Sequence, residues 1–254
     1  MKTKIQCIAA CVLIACVSVA CKKQELFDKI EKNVLGNIDK VTGVIEQVDE
    51  GYSFEYNSYG DPVKMTSIGN ASPSIGADYY FLYDEKRNLT DFYGMYVDIG
   101  TTYYHIYHRY HSDEQNRVIV DSSFTFGTIE NGLPATVQSL VVSFFEYDAL
   151  NRISRVYTKD SVGKKHTTAT YKYDTNGNRT DISKQYDDKV NIHRTNKIWQ
   201  FIDRDYSQNN PLVVQAYSSY NYAGLPEQLQ PIRSASYHFL ELTYYLLNVT
   251  YTNQ

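Results

Sequence analysis

Three histidines spaced three apart, His105, His108 and His111, have the residue type and the interval of a zinc-binding set, because imidazoles at that spacing roughly share a helix face. Their context is a strand, however: His105-Ile106-Tyr107-His108-Arg109-Tyr110-His111 is rich in Tyr and β-branched neighbours, and a strand sends His108 to the face opposite His105 and His111. No joint metal site is expected. The acidic pairs Asp187-Asp188 and Asp203 with Asp205 carry the groups of a general acid and base, as in glycoside hydrolysis. Asp187 and Asp188 sit in Tyr186-Asp187-Asp188-Lys189, which reads as a solvated hairpin tip. There is no Gly-x-Ser-x-Gly elbow to activate a serine. Asp174-Thr175-Asn176-Gly177-Asn178 has its glycine too early for a calcium loop and no closing glutamate, so it reads as a turn. The expectation is a chain with no catalytic residue, no metal and no cofactor.

All four cysteines, Cys7, Cys11, Cys16 and Cys21, lie in the first twenty-one residues. Lys2 and Lys4 precede an apolar run, Ile5 to Ala20, that falls short of the roughly 20 residues needed to span a bilayer. It ends in Ser18-Val19-Ala20-Cys21 and gives way at once to Lys22-Lys23-Gln24-Glu25, the layout of an export signal. Small residues ahead of a cysteine resemble a lipobox, which implies that residues 1–21 form a lipoprotein signal, cleaved after Ala20 to leave a lipidated Cys21 first, and attachment to a lipid bilayer at the outer membrane or cell surface. Leu13-Ile14-Ala15-Cys16 is the competing match, with a shorter apolar run ahead of it. A chain matured at Cys21 has no thiol left for catalysis or disulfides, and is long enough to stand on its own core.

With 25 Lys+Arg against 29 Asp+Glu and a net charge of -4, the chain lacks the basic excess that phosphate binding demands, so nucleic acid is excluded as its main partner. Tyr outnumbers Phe by 25 to 10, which suits rings with one side buried and a wet hydroxyl end.

The elements that position these residues follow from two periodicities. Phe27, Ile30, Val34, Ile38, Val41, Ile45 and Val48 recur at helical intervals, but Gly36 and Gly43 each cost a helix about 1 kcal/mol. The expectation is a linker or short helix in residues 22–42, with the helix near 24–35, a first strand near 43–48, and a turn at Asp49-Glu50-Gly51. From there an alternating strand ending in Tyr, then Asp or Asn, then a polar turn with Gly or Asn, repeats through the chain. The units are anchored at Tyr56 with Gly60, Tyr83-Asp84, Tyr110, Tyr147-Asp148, Tyr173-Asp174 with Gly177, and Tyr220 with Gly224. Asp or Asn bonds the backbone two residues on, and Gly or Asn tolerates positive φ, so each unit encodes its own reversal. Successive hairpins without helical crossovers predict an all-β fold over 43–254: an antiparallel meander forming an open barrel-like or single curved sheet.

Tyr147-Asp148 through Ile153 and Tyr173-Asp174 through Gly177 resemble YD repeats, the Tyr-Asp-x-x-Gly series of Rhs-type bacterial surface proteins. Joined to the leader and to a chain this short, the pattern is similar to Bacteroidetes lipoproteins of unknown function described as porin-like. The resemblance covers 43–254 and implies architecture and compartment, with no chemistry. It also brings out Asp160-Ser161-Val162, at an expected hairpin tip, as similar to the short O-glycosylation signal of exported proteins in that group.

Function is therefore expected to be binding, of a glycan or a protein, through a tyrosine-rich sheet. Trp199, Tyr104 and Tyr107 are candidate stacking residues, although core packing is the favoured role for Trp199. A concave cluster of aromatic rings would favour a binding protein, evenly spread cross-strand ladders a structural scaffold, and two carboxylates converging in a cleft a hydrolase.

Overall fold

The computed structural model describes residues 36–45, 48–68, 77–98, 101–131, 133–212, 217–229 and 247–252. Cys21 and the helix expected near 24–35 lie outside the described residues.

Fourteen strands run in chain order: β1 (Ile38–Ile45), β2 (Val48–Tyr56), β3 (Pro62–Ile68), β4 (Asp78–Tyr83), β5 (Leu89–Asp98), β6 (Thr101–Ser112), β7 (Val118–Glu130), β8 (Leu133–Pro134), β9 (Ser139–Tyr147), β10 (Ile153–Lys159), β11 (Lys165–Thr170), β12 (Tyr217–Tyr220), β13 (Pro226–Leu229) and β14 (Leu247–Tyr251). They form one antiparallel meander, β11-β10-β9-β7-β6-β5-β4-β3-β2-β1-β14-β13-β12, with the two-residue β8 paired onto β7. The expected all-β meander is what the chain forms. The order ends at β11 and β12, so the sheet is not closed, and β14 enters between β1 and β13 instead of following its neighbour outward.

The N-terminal boundary differs from expectation. β1 opens at Ile38, ahead of residue 43, and Asp49, Glu50 and Gly51 form no turn but belong to β2, where Gly51 faces Thr42 of β1. A Cβ at Gly51 would meet the Val41 carbonyl oxygen at 2.0 Å, so this glycine serves close strand approach. The helix-like spacing of Ile38 and Val41 has a local cause as well. A register shift between Ile38 and Lys40 adds one residue to the strand, and both apolar side chains end up fully buried.

Seven chain reversals share one geometry, starting at Asn57, Asp84, Asp113, Asp148, Asp160, Asp174 and Asn221. In each, the first residue's N–H donates to the carbonyl four residues on, and the fourth residue's N–H donates back to the first carbonyl, at 2.8 to 3.1 Å. The side-chain oxygen of the first residue accepts two further backbone N–H groups, as Asp148 Oδ1 does from Leu150 (2.9 Å) and Arg152 (3.0 Å). The fourth residue always has positive φ: Gly60, Arg87, Asn116, Asn151, Gly163, Gly177 and Gly224. The Tyr110 unit, read as a stretched one running through Asp113 and Asn116, turns at Asp113; Ser112 takes the anchor position and Tyr110 packs inward on Phe201.

The anchor tyrosines tie successive hairpins together. Tyr56, Tyr83 and Tyr147 donate their hydroxyls to the carbonyls of Ile38, Pro62 and Val118, each at 2.7 Å, and Tyr251 donates to Pro226 at 2.6 Å. Tyr173 reaches Ile153 at a longer 3.4 Å. In each case except Ile38 the acceptor is the fifth residue after the start of a described turn, so these hydroxyls tie one hairpin to the next. Phe cannot do this, which gives a physical reason for the excess of Tyr.

The described helix is not N-terminal. Residues 171–212 carry a 3-10 turn (Ile192–Thr195) and α1 (Lys197–Ile202), whose N-cap Asn196 accepts from the Ile198 N–H at 3.0 Å. Trp199 touches Phe54 and Phe81 edge-on at 5.5 Å, and Phe201 touches Tyr110 and Phe145 at 5.1 and 5.6 Å. β2 and β9 lie six strand spacings apart in the sheet, about 29 Å if it were flat. Two residues of one short helix reach both, so the sheet curls around α1 and that face is concave.

Candidate functional site

The concave face also carries a continuous group of rings. Tyr79 stacks on Phe92 (5.6 Å, 12°) and meets Tyr52 and His105 edge-on at 5.7 and 5.5 Å. Tyr96 lies 5.1 Å from His105, and Phe92 stacks on His108 at 5.9 Å. His108 then stacks on Tyr110, which rests on α1, and its Nδ1 lies 3.0 and 3.1 Å from the two carboxylate oxygens of Asp121. Asp121 is almost fully buried, whereas Tyr79, Tyr96, His105 and His108 stay half-exposed. The result is an aromatic and imidazole surface over a buried carboxylate. It offers partly exposed rings for apolar contact and Tyr and His groups for hydrogen bonding, with Asp121 holding His108 from below.

Strand alternation alone does not build this cluster. His105 and His108 were expected on opposite faces, yet both touch the ring system of Tyr79 and Phe92. The cause is a register shift: Gly94 pairs with Ile106 and Met95 with Tyr104, leaving His105 as an extra residue on β6. The space it needs comes from Gly94, where a Cβ would lie 2.2 Å from the His105 ring. Among the described residues no three His, Cys, Asp or Glu side chains converge as a metal ion requires.

None of the three candidate stacking residues lies in this cluster, and Trp199 takes the core role weighed for it. Trp199 is 0% exposed in the core, and Tyr104 and Tyr107 are each 1% exposed, so none presents a ring face to a ligand. Tyr104 donates to the Thr136 carbonyl at 2.9 Å. Tyr107 donates to Asp91 Oδ1 at 2.8 Å and accepts from Arg109 at 2.8 Å, and burial pushes its hydroxyl well above the usual tyrosine range. Tyr107 also belongs to a cross-strand ladder on the convex face: Tyr80, Tyr93 and Tyr107 stack at 5.2 Å each, with the Lys64 ammonium 5.5 Å from the Tyr80 ring.

The acidic pairs also differ from expectation. Asp187 is no solvated tip: it accepts from the Tyr220 hydroxyl at 2.6 Å and from the Asn210 backbone at 3.0 Å, joining residues 171–212 to β12. Asp203 and Asp205 do converge, on a residue that pattern reading missed. His193 Nε2 lies 2.7 Å from Asp203 Oδ2, and its Nδ1 lies 2.8 Å from Asn191 Oδ1 and 3.5 Å from Asp205 Oδ2. The side chains of His193, Asp203 and Asp205 are 0%, 2% and 2% exposed, so in this state no substrate reaches either carboxylate.

Among the described residues no helix is long and apolar enough to cross a membrane. No protein-family model matches the chain, and no curated protein matches it either.

Proposed function

We propose that the chain is a cell-envelope lipoprotein, anchored through lipid on Cys21 at the outer membrane or cell surface, that acts by binding a glycan or a protein and not by catalysis. The observation that carries the reading is the concave cluster of Tyr52, Tyr79, Tyr96, His105 and His108 over Asp121. The partly exposed rings of Tyr79, Tyr96, His105 and His108, backed by the buried Tyr52, suit ligands that are apolar on one side and polar at the rim. The resemblance to YD-repeat lipoproteins is supported in architecture by the seven Asx-started turns and the meander. A glycan and peptide array probed with the mature protein tests the reading. Binding should be lost in Tyr96→Ala and His108→Ala and retained in Tyr93→Ala on the convex face.

The second reading is a structural scaffold, and the convex ladder favours it. Tyr80, Tyr93 and Tyr107 turn their faces to one another, which stiffens the sheet without leaving a free face for a ligand. An array empty for every probe class would favour that reading.

A further inference from the structure

The concave face depends on α1, and α1 is held by a buried ion cluster whose arrangement fixes its protonation. The Asn191 side-chain oxygen accepts the His193 backbone N–H at 2.9 Å, while its amide nitrogen donates to the Asn209 carbonyl at 2.9 Å. The oxygen is therefore the atom facing His193 Nδ1, and a carboxylate oxygen faces Nε2. Two acceptors, one at each ring nitrogen, are satisfied only by an imidazolium. We infer that a buried His193 imidazolium latches the 3-10 turn to the loop after α1, and that loss of its proton releases α1 and Trp199 from the concave face.

The surroundings set the direction of the switch. Asp203 and Asp205 approach from the loop after α1 and Asn191 from the cap of the 3-10 turn. Arg179 comes from the segment after β11, its guanidinium engaged by the Asp181 carboxylate and the Arg204 carbonyl. Tyr173 and Tyr186 stand near Asp205 as further titratable groups. Burial by itself pushes the His193 imidazole down. The hydrogen bond to Asp203 and the charges of Asp203 and Asp205 outweigh it, against Arg179, and hold the ring above the usual histidine range. The latch is thus closed below the usual histidine range and opens as pH rises through the raised value. A neutral ring leaves one bare nitrogen against an oxygen and two buried carboxylates without their cation.

Trp199, the only tryptophan, reports the event directly. Between about pH 7 and about pH 9.5, below ordinary tyrosine ionisation, its emission in the mature protein should shift to the red. Its quenching by acrylamide should rise several-fold while the far-UV strand signal holds. His193→Gln should show the loosened emission already at neutral pH, with no further pH response. Invariant emission in the wild type over that range, or an identical response in His193→Gln, overturns the inference. Should the variant fail to fold, nitrogen NMR of labelled histidine in the wild type decides: an imidazolium at pH 7 that deprotonates with the Trp199 shift supports the latch, and a neutral ring at pH 7 overturns it.

Discussion

Gly163 isolates the backbone term of the repeated turn. It is the fourth residue of the reversal starting at Asp160, its φ is 82°, and a Cβ built there meets nothing within 4 Å. Any loss on substitution therefore comes from the left-handed conformation alone. That conformation costs an ordinary L-residue about 1–2 kcal/mol, against roughly 0.4–1 kcal/mol returned by stiffening the unfolded chain. Gly163→Ala should lose about 0.5–1 kcal/mol on that balance. Gly163→Val should lose about 2 kcal/mol, since a β-branched residue is a genuine outlier there, or roughly 4–8 °C in Tm for a chain of this size. Gly163→Asn should be close to neutral, because Asn116 and Asn151 fill the same position at φ 59°. At Gly177 the geometry adds a packing term, its Cβ falling 2.9 Å from Gln208 Cγ, so Gly177→Val should lose more than Gly163→Val. Gly224, with its nearest neighbour at 3.8 Å, should behave like Gly163. Urea unfolding of the mature wild type and variants measures all of these. Equal losses for Val and Asn at position 163 would refute the account of the turn, and a smaller loss for Gly177→Val than for Gly163→Val would refute the packing term.

Tyr83→Phe and Tyr147→Phe should each lose about 1 kcal/mol in the same assay, and the double variant the sum, since each deletes one hydroxyl-to-carbonyl tie between different hairpins. His193→Ala should lose about 3–5 kcal/mol, because it leaves two buried carboxylates without their cation. The matching pH dependence has one sign. The stabilisation from His193 is complete below about pH 6.5 and declines as pH rises through the raised folded-state value. Unfolding free energies measured across neutral to alkaline pH should fall in the wild type more than in His193→Gln. Radiolabelled palmitate should enter the wild type and not Cys21→Ala; label that survives there but disappears in Cys16→Ala would place the lipid at the other cysteine.

What the sequence determined by itself was whatever is settled within five consecutive residues. An Asp or Asn closes a turn through its own side chain and backbone, with the fourth residue at positive φ, so the turns at Asn57, Asp84, Asp113, Asp148, Asp174 and Asn221 were legible, and with them the meander. The Tyr110 unit had to be read as stretched because the pattern names an anchor tyrosine, whereas the turn needs only the Asp, which is Asp113. Register shifts escaped the reading. One extra residue at His105 reverses the face of everything beyond it, and the space for it comes from Gly94 on the neighbouring strand. Only the tertiary structure could join His193 to Asp203 and Asp205, bury Trp199 against Phe54 and Phe81, and enclose Tyr104 and Tyr107. Burial depends on what the chain brings back across a curled sheet, and a short apolar stretch such as Ile198-Trp199-Gln200-Phe201 reads the same whether it ends as an exposed strand or as the helix that fills the concave face.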